Sequence, residues 1–155
     1  MGLDRCLDPE VMNRVITHPK VYPHVSDDFS PQPSEFDCAG LMATPGVYFL
    51  AVNDGDGGGF MVHMHSQTVY EVHTFLLPQV WGQSIDIAVN LVMWVFKNTG
   101  CEKLITWVPE GNALALRLAR RVGMKEEGFS PYSYRKGGKL IGRHLLGIEK
   151  ERVCQ

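Results

Sequence analysis

At 155 residues the chain is about one domain long, enough to bury a core, and residues 1–155 read as a single unit. Its composition, 45% hydrophobic and 21% charged, is that of an ordinary soluble globular protein. A formal net charge of −2 argues against a general nucleic-acid binder. The cysteines (Cys6, Cys38, Cys101, Cys154) are scattered with no C-x-x-C pair, so they read as free thiols of a reducing compartment. No apolar signal segment opens the chain, and Ile87 to Phe96 is too short to span a bilayer. The expected location is cytoplasmic, without membrane attachment.

Asp8-Pro9-Glu10 predicts a helix start, with Asp8 as cap and Pro9 in the first turn, and Val11, Met12, Val15 and Ile16 give it an apolar face. Tyr22 to Pro45 is rich in Pro, Ser and Asp and predicts a long connection with a short helix near Ser34-Glu35-Phe36. Val47–Val52 predicts a buried strand, Asn53–Gly59 a turn, and Phe60–His65 a second strand of a hairpin. Val69–Leu77 predicts a third strand, ending at Pro78. Ser84–Asn98 predicts a helix with Ile85, Ala88, Val89, Val92, Met93 and Phe96 in register, closed by Gly100. Lys103–Val108 predicts a strand and Asn112–Val122 a helix closed by Gly123. Met124–Tyr134 and Leu140–Ile148 predict a last strand pair around Lys136-Gly137-Gly138-Lys139. Trp94 and Trp107 read as core. Hairpins interspersed with crossover helices predict an α/β (α+β) layer fold with a mixed sheet.

The segment Leu76-Leu77-Pro78-Gln79-Val80-Trp81-Gly82-Gln83-Ser84 joins an apolar strand to the longest helix. The free N–H groups and dipole of a first helical turn favour an anion there, and Gly82 leaves room for a phosphate to approach the backbone. Gln79, Gly82 and Ser84 fall on a Gln-x-x-Gly-x-Ser spacing. This resembles the Arg/Gln-x-x-Gly-x-Gly/Ala pyrophosphate loop of the GNAT superfamily of N-acetyltransferases, which use acetyl-CoA. A second stretch, Asn112-Ala113-Leu114-Ala115 through Ala119 to Gly123-Met124, resembles the superfamily's Asn-x-x-Ala helix. The element order from Val47 to Lys150 is similar too. The resemblance implies a mainly antiparallel central sheet flanked by helices. It implies acetyl-CoA as cosubstrate, held by Phe75, Leu76, Leu77, Gln79, Val80, Trp81, Gly82, Gln83, Ser84 and Asn112. Asn112 also reads as a plain helix cap. Ala119 stands where many members carry a Tyr that protonates the departing thiolate. Tyr132 and Tyr134 are substitutes that do not match the motif.

Acyl transfer to an amine needs a base, because an ammonium has no lone pair. Glu71 and His73 alternate with Tyr70 and Val72, so they share one strand face and are the candidate catalytic residues. An imidazole suits proton transfer near neutrality. His63 and His65 share a face of the preceding strand and would adjoin them if the strands pair. Such a group could bind zinc, but no helical H-E-x-x-H or Cys partner supports this, and the expected metal is none. Asp54-Gly55-Asp56-Gly57 lacks the ligand series of a calcium loop and reads as a turn. Arg117, Arg120 and Arg121 read as a solvated face, with the 3′-phosphate of CoA as the functional alternative. The resemblance thus implies an enzyme that transfers an acetyl group from acetyl-CoA to a primary amine by direct attack. The acceptor is a small-molecule or protein amine. The alternative is a silent binding or assembly protein of the same fold. Many such domains pair through sheet edges, so a homodimer is among the expected arrangements.

Overall fold

The computed structural model describes residues 2–153, and Cys154 lies outside them. The strands are β1 (Leu3–Arg5), β2 (Val47–Val52), β3 (Gly58–Met64), β4 (Val69–Leu76), β5 (Lys103–Pro109), β6 (Lys125–Lys136) and β7 (Lys139–Glu149). The helices are α1 (Pro9–Ile16), α2 (Tyr22–Val25), α3 (Ala39–Met42), α4 (Ser84–Asn98), α5 (Ala113–Val122) and α6 (Lys150–Val153). The strands form one seven-stranded sheet in the order β1-β2-β3-β4-β5-β7-β6. Every pair among the described residues is antiparallel except β4–β5, which is parallel.

The two faces of the sheet carry two cores. Leu50, Val52, Phe60, Val62, Tyr70, Val72, Leu104, Val108, Leu146 and Ile148 bury against α4 and α5. The alternate residues Val47, Phe49, Ala51, Phe75 and Leu77 bury against α1 and the connection after it. Strand alternation thus sorts one sequence onto both sides of the sheet. The same rule places Glu71 and His73 on the α1 face.

Local chemistry explains the element ends. Asp8 caps α1, its side chain accepting the Glu10 amide at 3.0 Å. Gly123 ends α5 in the left-handed conformation at φ 111°. Gly58 opens β3 at φ +94°, packed so tightly on β4 that a Cβ would lie 2.9 Å from the Leu77 nitrogen.

Several elements differ from the sequence expectation. β1 is unforeseen, because three residues carry no period and the strand exists only by pairing with β2. The long connection holds α2, a 3-10 turn at Pro33–Glu35 and α3, rather than one short helix. It is pinned to the β6–β7 hairpin. The Asp28 carboxylate accepts the Gly137 and Gly138 amides at 2.8 Å each, and the Lys136 ammonium donates to the Pro23 and Ser26 carbonyls. The buried stripe of α4 is Ile87, Ala88, Leu91, Val92, Val95 and Phe96, while Val89 and Met93 are 39% and 41% exposed. A helix apolar on most sides does not say which stripe meets the sheet. Trp94 and Trp107 are half-buried rather than core, and the Arg143 guanidinium lies 4.7 Å from the centre of the Trp107 ring.

Candidate active site

The parallel strands β4 and β5 pair only at Val69–Lys103, Tyr70–Leu104 and Glu71–Ile105. Beyond that point they part. The last tie is the Thr106 hydroxyl, which donates to the Val72 carbonyl at 3.2 Å. Thr106 went unnoticed in the sequence, where the only signal is one hydroxyl in an apolar strand. The Leu77 amide donates to Gly57 and the Val69 carbonyl accepts from His65, so odd-numbered residues of β4 turn their backbone groups toward β3. The even-numbered ones, Thr74 and Leu76, turn theirs into the wedge. Leu76 therefore presents its amide to the opening, whereas those of Phe75 and Leu77 serve the sheet. Their side chains are all buried. Both α4 and α5 begin at this end of the wedge, the carboxyl ends of two parallel strands, which is the common ligand crevice of such sheets.

The segment after β4 is not an open turn. Pro78–Gln83 is a 3-10 helix that runs directly into α4. The Val80 amide donates to Leu77 and the Ser84 amide to Trp81. The positive end of the dipole therefore lies upstream of Ser84. Val80 is buried, and the Gln79 side chain donates to the Asp56 carbonyl. The Trp81 indole N–H donates to the Leu76 carbonyl at 2.9 Å, with the ring half-exposed over the wedge. Gly82 and Gln83 are exposed, and a Cβ at Gly82 would meet nothing within 4 Å.

On the α1 face of the same strands, four polar side chains converge. β3 and β4 pair with His63 opposite Glu71 and Met61 opposite His73. The His65 Nε2 lies 2.7 Å from Glu71 Oε1, and the His73 Nε2 lies 3.1 Å from Glu71 Oε2. The Nε2 atoms of His63 and His73 are 3.1 Å apart. Burial raises the Glu71 carboxyl, but hydrogen bonds from His73 and His65 and the charges of His73 and His63 outweigh it and bring it to about 2. Burial, then the neighbouring His73, lowers the His63 imidazole. Glu71 is therefore an ionised acceptor ringed by imidazoles. Trp107 and Arg143 stand on the same face of β5 and β7, where Pro109 pairs with Arg143.

Asn112 caps α5, its Oδ1 accepting the Ala115 amide at 3.2 Å. Arg117, Arg120 and Arg121 line a shallow cleft on α5, and Arg120 pairs with Glu126 at 3.1 Å. Ala119 packs in the core between sheet and helix. Tyr134 donates its hydroxyl to the Ser26 carbonyl at 2.9 Å, and Tyr132 is 76% exposed on the β6 bulge. Burial drives the Cys38 and Cys101 thiols up to about 11, so both stay protonated and offer no nucleophile.

Solved structures of similar shape span nearly the whole chain. The spermidine N-acetyltransferase SpeG from Vibrio cholerae, in complex with CoA and spermine, matches with a TM-score of 0.73 at 12% identity, covering 99% of this chain and 98% of that one. A GNAT-family acetyltransferase from Bacillus anthracis matches with a TM-score of 0.70 at 15% identity, covering 93% and 90%. The chain has the GNAT acetyltransferase fold. No family model and no curated protein sequence matches it. The similarity thus lies in the fold. No helix of the described residues is long and apolar enough to cross a membrane.

Proposed function

We propose that the chain is an acetyl-CoA-dependent N-acetyltransferase acting on a primary amine. The observation that carries this reading is the parting of β4 and β5 beyond Glu71 and Ile105, which leaves the Thr74 backbone groups and the Leu76 amide without strand partners, the Leu76 carbonyl being taken by Trp81. Buried backbone groups are rarely left unpaired, so a wedge of this kind suits an extended ligand that bonds like a strand. The pantetheine arm of CoA carries amide groups for that role. Its pyrophosphate would lie at the start of α4, where Gly82 leaves open space, with Gln79, Val80, Trp81, Gln83 and Ser84 around it. The α5 arginines and Asn112 would border its nucleotide end.

In this arrangement the thioester reaches through the wedge to the face that holds Glu71 and His73. The Leu76 amide is placed to polarise its carbonyl as negative charge develops on oxygen. The amine nitrogen attacks the carbonyl carbon, a C–N bond forms, and the C–S bond breaks with its electron pair leaving on sulfur. The amine must shed its proton. Glu71, held ionised at about 2, is a weak acceptor by itself, so the imidazole of His73 takes the proton while the Glu71 carboxylate orients it and balances its charge. Ala119 has no proton to give, so solvent protonates the thiolate. Spermine, bound by the similar Vibrio enzyme, is an example of the small polyvalent amine class we propose as acceptor.

Isothermal titration of the folded protein with acetyl-CoA and with CoA tests the cofactor site, and thiol release across a panel of amines tests the reaction. Saturable binding and amine-dependent release are expected. A well-folded sample that binds neither ligand would overturn the assignment and favour a silent binding protein of the same fold.

A further inference from the structure

The four side chains on the α1 face form a set that the acetyl-transfer reading does not require. One base and one orienting group would serve it, yet three imidazoles and a carboxylate crowd one point. One ring nitrogen each of His63 and His65 and a Glu71 carboxylate oxygen all lie within 4.8 Å of one another. The separations to Glu71 Oε1 are 2.7 Å from His65 and 3.7 Å from His63. His73 Nε2 is 3.1 Å from both Glu71 Oε2 and His63 Nε2. Ligand atoms of a tetrahedral zinc ion with bonds of about 2.0–2.1 Å stand roughly 3.3 Å apart. The distances of 2.7 and 3.7 Å to Glu71 Oε1 bracket that edge. All three imidazoles turn Nε2 toward the Glu71 carboxylate.

We propose that His63, His65 and Glu71 bind a divalent transition-metal ion of the zinc class, with His73 in reach of the fourth position. The donor set, imidazole nitrogen with one carboxylate, matches zinc and excludes the oxygen cages of calcium and magnesium. The site is rigid, because both strands are fixed by the β3–β4 register through His63–Glu71. It is also accessible. Glu71 at its base is 11% exposed, while His63, His65 and His73 at its rim are 29%, 43% and 37% exposed. The ion replaces a contact in which two like nitrogens must share one hydrogen with a geometry in which every lone pair points at a cation. The sequence offered this group only on condition that the two strands pair, with no metal as the expectation, and the register of His63 opposite Glu71 is what brings the ligands together.

Bound metal takes the Glu71 carboxylate that orients His73, and it competes for the His73 lone pair that accepts the proton. This consequence, which rests on the proposed acetyl transfer, is that zinc inhibits the reaction. The site itself stands without it.

The test titrates zinc into chelator-stripped full-length protein without any acyl donor, against a chromophoric competitor, and records the visible spectrum of the cobalt(II)-loaded protein. The proposal expects one saturable site and the intense d–d bands of tetrahedral cobalt. His63→Ala and His65→Ala, each verified as folded by circular dichroism, should weaken binding by about 100-fold or more, since even losing a ligand's supporting partner costs 10- to 100-fold. Should either variant unfold, His65→Asn keeps the test open, because His65 is at the exposed rim. Absence of saturable zinc binding, equal affinity in wild type and both variants, or an octahedral cobalt spectrum would each overturn the proposal. None of these readouts depends on acetyl transfer, so failure of that reading would leave them unchanged.

Discussion

Gly82→Asp tests the proposed phosphate site apart from the rest of the structure. A side chain at Gly82 meets nothing within 4 Å, and its backbone does not lie in the left-handed region, so the variant should fold as the parent does. If a pyrophosphate sits at the start of α4, the new carboxylate stands about 5 Å from roughly two negative charges. At an effective dielectric of about 40, between surface protein and water, each pair costs about 1.7 kcal/mol. The sum, about 3 kcal/mol, corresponds to a roughly 200-fold rise in Kd for acetyl-CoA. Gly82→Asn adds nearly the same volume without charge, so the difference between the two variants isolates the electrostatic part. Titration calorimetry at low and high salt measures both. The Asp-to-Asn gap should shrink as salt is raised, because exposed charges are screened within about 10 Å at 0.1 M. Equal affinities for Asp, Asn and wild type would refute the placement of the phosphates.

The remaining predictions address the base, the pinned loop and the sheet. Glu71→Gln should cut kcat by about 10²- to 10⁴-fold while leaving the acetyl-CoA Kd within a small factor, a split that steady-state kinetics and calorimetry can read. The hydrogen bonds from Gly138 and Gly137 hold the Asp28 carboxyl below the usual carboxylate range. A lowered folded value means the stabilisation is present above an unfolded pKa of about 4 and is lost as pH falls through the folded one. The Tm difference between wild type and Asp28→Asn should therefore be steady near neutrality and vanish in acid; a difference independent of pH would contradict it. Gly58→Ala places a Cβ against the Phe75 carbonyl oxygen at a positive φ, and should cost about 3 kcal/mol or more by denaturant titration. Wild-type stability in that variant would mean the β3–β4 contact is looser than described.

The elements that carry their own signals were legible in the sequence. β2 over Val47–Val52 and α4 over Ser84–Asn98 fall where a β-branched run and a helical period place them. Asp8, Asn112 and Gly123 mark helix ends because caps are local chemistry. The sharing of one face by Glu71 and His73 follows from strand alternation alone. What the sequence left open depends on partners distant along the chain. β1 has no period of its own and exists through β2. The buried stripe of α4 is chosen by the sheet and α5, since the helix is apolar on most sides. Gln79 points to Asp56 because the hairpin turn lies beside it in space. The depth of the wedge is set by three parallel pairs and the Thr106 tie, which no single strand encodes. The gathering of His63, His65, Glu71 and His73 is decided by register, because a slip of one residue would turn one strand's pair to the opposite face. Residue type and period settled the strands and helices, and long-range pairing settled which side chains meet.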